Sequence, residues 1–109
     1  MDYEYSTLEV SHEGGITTIG FGNEEILDQI NLAAVREQIT DIVKQNQTET
    51  LAIEMNGVRL IPSGLLGLLI SLKNCVGKIQ ILNPSVDVRE VLEVTKLNRI
   101  FEVQNEVVL

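Results

Sequence analysis

Several residue types are scarce in this chain of 109 residues, and each shortage narrows the possible functions. Cys75 is the only cysteine, so no disulfide can form within the chain. The absence of disulfides is typical of proteins from a reducing compartment. Tryptophan is absent and aromatic residues make up 4%, so aliphatic side chains have to fill the core, and Cys75 is predicted to be a small core residue. Because His12 is the only histidine, no Cys/His cluster exists, and we expect neither a metal nor a cofactor.

Positive charge is also scarce. The chain has 8 Lys and Arg residues and 16 Asp and Glu residues, which gives a formal net charge of −8. No cationic stripe is available for nucleic-acid phosphates or for an anionic membrane surface. An acidic surface favours a basic protein partner, or it only keeps a small domain in solution. The acidic residues Glu24, Glu25 and Asp28 lie before the first predicted helix, where they form either a solvated loop that favours the helix's positive end or a contact patch for a partner.

Long hydrophobic runs and targeting signals are not found. The longest nearly continuous apolar run, Leu65 to Ile70, is far shorter than the roughly 20 residues of a membrane-spanning helix. The start, Met1-Asp2-Tyr3-Glu4-Tyr5, lacks the positive charge and the apolar stretch of a signal peptide. No linker rich in proline, glycine or serine divides the chain. These features predict a single cytoplasmic domain over residues 1–109.

Strand and helix patterns alternate along the chain. Residues 8–12 and 16–21 predict a hairpin around Gly14-Gly15, its first strand half-buried through Leu8, Val10 and His12. Asn31 is the expected N-cap of an amphipathic helix that ends near Asn46. The later elements are a strand over 51–55, a helix after Pro62, a strand over 79–82, a helix opened by Asn83-Pro84-Ser85, and a last strand at Ile100, Phe101 and Val103.

This order, β-β-α-β-α-β-α-β, predicts an α/β fold. We expect a small mixed sheet of about five strands with three to four helices, in which right-handed crossovers join parallel strands. Residues 23–30 are predicted to be a loop with one helical turn. The tail Val107-Val108-Leu109 is expected to pair or to dock.

The segment from Gly57 to Gly67 joins a buried strand to a nearly all-apolar helix. Pro62 disfavours helical angles at Ile61, so the helix begins after it. A helix with leucines on almost every side is buried, or it shows one face to a partner or to a second copy. Ser63 at its start is open to two interpretations, a helix cap or the carrier of a phosphate.

Two blocks of this sequence, residues 51–69 and 83–103, resemble the STAS domain of bacterial anti-sigma-factor antagonists. The family pattern is a strand, a Gly-Val turn, and Asp-Ser-Ser-Gly-Leu-Gly at the start of a helix. Without gaps, Pro62 stands at the Asp, Ser63 at the first Ser, Gly64 at the second Ser and Leu65 at the Gly, and Leu66-Gly67 match the closing pair. In the second block Lys96 replaces a usual Gly, at a cost of about 1 kcal/mol if the backbone is left-handed there.

The resemblance implies a protein-binding regulator without catalytic activity. It implies partner switching, in which a serine-kinase-type anti-sigma factor binds the domain and phosphorylates the first Ser of the motif, here Ser63. The partner-binding residues it implies are Pro62, Ser63, Gly64, Leu65 and Leu66. Arg59 and Lys73 flank the helix, and either could approach an anion or remain solvated.

Two alternatives stay open. Pro62 supplies neither the carboxylate nor the backbone N–H of the usual Asp, which favours a STAS subunit that is never phosphorylated and serves as a scaffold or a transport-complex accessory. An enzyme or small-ligand domain with the same topology is the other alternative. The sequence shows no nucleophile paired with a base to support it.

Overall fold

The computed structural model describes residues 8–22 and 31–105. Within them lie five strands, three α-helices and a 3-10 turn. The strands are β1 (Glu9–Glu13), β2 (Ile16–Gly20), β3 (Thr50–Glu54), β4 (Lys78–Leu82) and β5 (Glu102–Gln104). The helices are α1 (Leu32–Asn46), α2 (Ser63–Leu72) and α3 (Val86–Val94), and the 3-10 turn is Leu97–Arg99. The predicted α/β order is therefore confirmed. The predictions for residues 23–30 and for the tail 107–109 lie outside the described residues.

The strands form one mixed sheet in the order β1-β2-β3-β4-β5. β1 pairs antiparallel with β2, and the other three pairings are parallel, as the sequence predicted. Because β2 to β5 follow one another across the sheet and crossovers between parallel strands are right-handed, the three helices lie on the same face. The carboxyl ends of β3 and β4 thus lead into α2 and α3 at one edge of the sheet.

The core lies between the helices and that face of the sheet. Its central row runs across four strands in register, from Ile19 to Ile53 to Ile81 to Val103. The first three of these side chains are at most 1% exposed. The helices add aliphatic side chains to the same cluster, among them Val35, Ile39, Leu65, Leu69, Val88 and Leu92. Aliphatic burial therefore supplies most of the stabilisation, as the shortage of aromatic residues required.

The opposite face of the sheet is mostly polar. One row in register there reads Thr18, Ala52, Gln80 and Glu102. Glu102 accepts a hydrogen bond from Gln80 (3.1 Å) and forms an ion pair with Lys78 (Nζ to Oε2, 3.2 Å). The hydrogen bond from Lys78 is the main reason that the pKa of the Glu102 carboxyl lies below its usual value.

Local signals are confirmed at several element ends. Asn31 caps α1, its Oδ1 accepting from the backbone N of Ala34 at 3.0 Å, and α1 ends at Asn46. Ser85 caps α3, its Oγ accepting from the backbone N of Val88 at 3.1 Å. Gly14 and Gly15 turn the first hairpin with φ of 59° and 84°, angles that favour glycine. In these places short-range hydrogen bonds and backbone sterics decide the structure.

Lys96 adopts a left-handed conformation, with φ of 63° and ψ of 20°, which is the condition under which the sequence predicts a cost of about 1 kcal/mol. It follows Thr95 at the end of α3, and its backbone N donates to the carbonyl of Glu93 at 3.1 Å. A side chain in this conformation is strained by its Cβ atom, which glycine lacks. The end of α3 therefore holds a lysine in a conformation that glycine would suit better.

Two predictions about strands are wrong. β1 is not half-buried, because all five of its side chains are exposed and Val10 keeps 42% of its surface. It is the edge strand of the sheet and pairs only with β2. The last strand begins at Glu102 and not at Ile100, since the 3-10 turn occupies the residues before it and leaves Ile100 exposed.

Candidate functional site

The connection from β3 to α2 carries the motif residues to the carboxyl edge of the sheet. Gly57 makes a turn with φ of 88°, and the backbone N of Val58 donates to the carbonyl of Met55 at 2.9 Å. Val58 is only 2% exposed, which anchors the loop in the core. Arg59 and Leu60 then stand on the surface before the chain enters α2.

Polar side chains tie this connection to the neighbouring one between β4 and α3. The Glu54 carboxylate accepts from the backbone N of Asn56 at 2.9 Å and from Asn83 Nδ2 at 3.2 and 3.3 Å. Asn83 itself has a positive φ of 54°, an angle that asparagine tolerates better than most residues. The sequence pattern did not predict this link. Its only signal was the position of Glu54 and Asn83 at the ends of adjacent strands.

Helix α2 begins one residue earlier than it would if Ser63 were its cap. Pro62 is the N-cap, with extended angles (φ −74°, ψ 152°), and Ser63 is the first helical residue. The Pro62 carbonyl accepts from the backbone N of Leu65 at 3.0 Å and of Leu66 at 3.4 Å. A capping side chain has to belong to the residue before the helix, so the interpretation of Ser63 as the cap is wrong.

The first turn of α2 keeps unused hydrogen-bonding groups. Ser63 and Gly64 are exposed, and within residues 8–22 and 31–105 their backbone N–H groups have no acceptor. The Ser63 hydroxyl has no partner there either. Because Pro62 brings no side-chain oxygen, nothing at the N-cap competes for these donors. Free N–H groups and the positive end of the helix dipole make such a turn favourable for negative charge.

The leucines that follow belong to the core. Leu65 is 0% and Leu66 is 7% exposed, so both side chains pack in the core, and partner binding through residues 62–66 stays a prediction. The exposed leucine face that suggested a homodimer is not present either, because all the leucines of α2 are buried. The exposed positions of the helix are Ser63, Gly64, Gly67 and Ile70.

Gly64 marks a close contact between α1 and α2. A Cβ atom on Gly64 would lie 2.5 Å from Leu32 Cδ1, closer than non-bonded carbons approach. Leu32 is the first residue of α1, and its side chain packs against the core. Leu32 therefore fills the space that a serine would need at the second Ser position of the motif.

Other candidate residues lie apart from this turn. Lys73 is at the far end of α2, about 15 Å along the helix from Ser63, and its Nζ donates to the carbonyl of Gly77 at 3.1 Å. Cys75 is exposed in the turn after α2, so its prediction as a core residue is wrong. His12 is exposed on β1, where its Nδ1 is 3.3 Å from the hydroxyl of the buried Thr17.

No group of three or more His, Cys, Asp or Glu side chains within residues 8–22 and 31–105 is placed to hold a metal ion. Among the helices of these two ranges, none combines the length and the apolar character needed to cross a bilayer.

Comparisons with known proteins agree with this architecture. No curated protein matches the sequence. The anti-sigma factor antagonist SpoIIAA in its unphosphorylated form is 18% identical, with a TM-score of 0.78 over 92% of this chain and 88% of that chain. An anti-sigma-factor antagonist (STAS) domain protein from Planctomyces limnophilus is 20% identical, with a TM-score of 0.78 over 90% and 88%. SpoIIAA of Bacillus in its phosphorylated form is 19% identical, with a TM-score of 0.66 over 92% and 91%.

These likenesses, all at low identity, establish the fold. The family follows from a separate comparison, since the STAS domain model matches residues 7–108, nearly the whole chain. Together with the sheet order and the position of Ser63 at the start of α2, this match leads to one conclusion: the chain belongs to the STAS domain family.

Proposed function

We propose that this protein is a regulatory protein-binding domain that works by partner switching, with Ser63 as its phosphorylation site and without catalytic activity of its own. The observation that carries the proposal is the exposed Ser63 hydroxyl, free of hydrogen bonds to the described residues, at the first position of α2. SpoIIAA, which has the same fold, has been solved both unphosphorylated and phosphorylated.

A phosphate at Ser63 would be held without rearranging the fold. The backbone N–H groups of Ser63 and Gly64 are free to donate to it, and the helix dipole favours its charge. The core-facing side of the turn is formed by Leu65, which is 0% exposed, so a phosphate on the exposed Ser63 would not have to displace it. The absence of an Asp at Pro62 removes a carboxylate that would have repelled the phosphate.

The same phosphate would weaken a protein complex at this surface. It adds roughly −1.5 to −2 charge to a chain whose net charge is already −8. A partner seated on the exposed Ser63 and Gly64 would have to desolvate that dianion, which is costly without a pairing cation. Phosphorylation would therefore release the partner while the domain stays folded. We propose a serine-kinase-type anti-sigma factor as that partner.

The experiment is phosphorylation by candidate bacterial serine kinases with ATP, followed by intact mass. The proposal expects one added phosphate on the wild-type protein and none on Ser63→Ala. Ser71→Ala is the matched control, since Ser71 lies on the same helix but its hydroxyl already donates to the Leu68 carbonyl at 2.7 Å. Its mass shift should equal that of the wild type.

A second outcome favours the alternative function. If no kinase modifies Ser63 while a stable complex with another subunit is purified, the domain is an unphosphorylated scaffold or transport-complex accessory. Pro62 is the observation that favours this alternative, because a kinase has to accept a fixed φ of −74° immediately before the serine. A phosphate found on Ser71 or elsewhere, with Ser63→Ala still modified, would refute the proposed site.

A further inference from the structure

Strand β1 carries backbone groups that the sheet does not use. The two glycines of the hairpin turn both have positive φ (59° and 84°), as in the type I′ turn of a two-residue hairpin. Glu13 and Ile16 flank this turn and are therefore a hydrogen-bonded pair, and bonded pairs alternate with non-bonded pairs along the two strands. This alternation directs the N–H and C=O groups of Val10 and His12 away from β2.

The outer side of β1 is open to solvent. All five side chains of the strand are exposed, and Val10 keeps 42% of its surface. Among the described residues β1 pairs with β2 alone, and neither Val10 nor His12 makes a further backbone hydrogen bond. A strand with free N–H and C=O groups along one side is a template for the addition of another strand.

The charges along this edge indicate which kind of strand fits. Glu9 and Glu13 point to the polar face of the sheet, because successive side chains of a strand alternate between the two faces. Glu49 lies beside the hairpin turn, its Oε2 3.2 Å from the place that a Cβ atom on Gly15 would take. The one ion pair in the part of the chain that the structure describes joins β4 to β5, so these three carboxylates have no cation partner there. The edge therefore favours a basic partner.

A second copy of this chain fits the edge poorly. If the outward groups of Val10 and His12 bonded to the same two residues of an antiparallel copy over the full strand, Glu9 would directly face Glu13 of that copy. The same contact would occur twice, because such a pairing has twofold symmetry. Like charges directly opposite are destabilising, and each chain has a net charge of −8.

We propose that the outer edge of β1 binds an extended basic segment of another protein as an added antiparallel strand. Two lysines or arginines of that segment, with three residues between them, face Glu13 and Glu9. A β-branched residue lies opposite Val10, and antiparallel pairing is the more stable of the two orientations. The inference goes beyond the proposed function, because it uses no phosphate and no residue of α2, of α3 or of the connections that lead into them.

The test uses the full chain, unphosphorylated, and a synthetic peptide of about nine residues with Lys-Thr-Thr-Val-Lys at its centre. In the proposed pairing the valine N–H donates to the carbonyl of Val10. Fluorescence anisotropy of the labelled peptide gives the strength of binding, and amide chemical shifts should move over residues 9–13. The amides of Val10 and His12 should exchange quickly with solvent in the free chain and become protected when the peptide is added.

Two kinds of control peptide separate strand pairing from attraction between charges. N-methylation of the valine removes the N–H that points to β1 and should weaken binding about tenfold. N-methylation of the threonine before it, whose N–H points away from β1, should have a much smaller effect. A peptide of the same composition with Thr-Lys-Lys-Val-Thr at its centre presents only one lysine to the polar face, so it should bind about threefold more weakly.

Variants of the protein test the same contacts from the other side. Val10→Pro removes an outward N–H but none of the hydrogen bonds between β1 and β2, so the domain should still unfold cooperatively and bind the peptide about tenfold more weakly. Glu13→Gln should weaken binding about threefold and reduce its salt dependence. Glu37→Gln is the matched control, because Glu37 is exposed on α1 and its replacement changes the net charge equally. Its binding should equal that of the wild type.

Several outcomes would overturn the inference. No binding of the first peptide at about 1 mM would show that the edge does not accept such a strand. Equal binding of the two N-methylated peptides would exclude backbone pairing, whether or not Val10→Pro folds. An equal loss in Glu13→Gln and Glu37→Gln would reduce the contact to net charge, and self-association abolished by Val10→Pro would assign the edge to a second copy. Ser63→Ala should bind the peptide like the wild type, so failure here is separate from failure of the phosphorylation site.

Discussion

Replacing Lys96 by glycine should stabilise the domain, although glycine within a helix or a strand is usually destabilising. Lys96 has a φ of 63°, an angle that costs a residue with a Cβ atom about 1 to 2 kcal/mol. Glycine removes this strain but loses about 0.5 to 1 kcal/mol of backbone entropy on folding. About 0.5 to 1 kcal/mol should remain, which corresponds to a rise in melting temperature of about 2 to 8 °C for a domain of this size.

The measurement is thermal and urea unfolding, with Lys96→Ala as the reference for Lys96→Gly. The alanine variant removes the charge near the end of α3 but keeps the Cβ atom, so the difference between the two variants isolates the backbone term. Glu93, exposed and inside α3, supplies a second comparison. There the glycine variant should be less stable than the alanine variant by about 1 kcal/mol. If glycine is also the less stable residue at position 96, the argument from left-handed strain is wrong.

Three further predictions test the site and the sheet. Leu65→Ala should lower the free energy of unfolding by about 2 to 5 kcal/mol in urea titrations, because Leu65 is 0% exposed. Gly64→Ser, which restores the family's second serine, should change the free energy of unfolding by less than about 1 kcal/mol, because the atom that it crowds, Leu32 Cδ1, is the end of a flexible, half-buried side chain, and it should be better tolerated in a Leu32→Ala background, as a double-mutant cycle would measure. Lys78→Met should raise the pKa of Glu102 toward its usual value in an NMR titration. Since the folded pKa is lowered, the contribution of this pair to stability is present at neutral pH and is lost as the pH falls through the folded pKa.

The controls for these three experiments are simple. Ser63→Ala should stay within about 0.5 kcal/mol of the wild type, because its exposed side chain packs against nothing in the core. If Leu65→Ala lowered the free energy of unfolding by no more than Ser63→Ala does, Leu65 would not be a core residue. If Gly64→Ser changed the free energy of unfolding equally in the wild type and in the Leu32→Ala background, the two residues would not interact. An unchanged Glu102 titration in Lys78→Met would exclude the ion pair as the cause of its lowered pKa.

Much of the architecture follows from short-range rules that can be read along the chain. Asn31 and Ser85 cap their helices, and Pro62 sets the start of α2, because these effects depend on neighbouring backbone groups only. The β-β-α-β-α-β-α-β order and the handedness of crossovers then leave few possible sheets. The position of Ser63 at the tip of an apolar helix could be predicted for the same reason.

Only the tertiary structure decided which side chains reach the surface at that site. Periodicity shows that a helix has an apolar side, but what covers each side depends on elements distant in sequence. Leu32 packs against Gly64, Leu65 is buried in the core, and Val10 is exposed on the edge strand β1. The connection from β3 to α2 and the side of α3, about 30 residues apart in sequence, likewise line one groove. A contact between such distant segments cannot be predicted from a local sequence pattern.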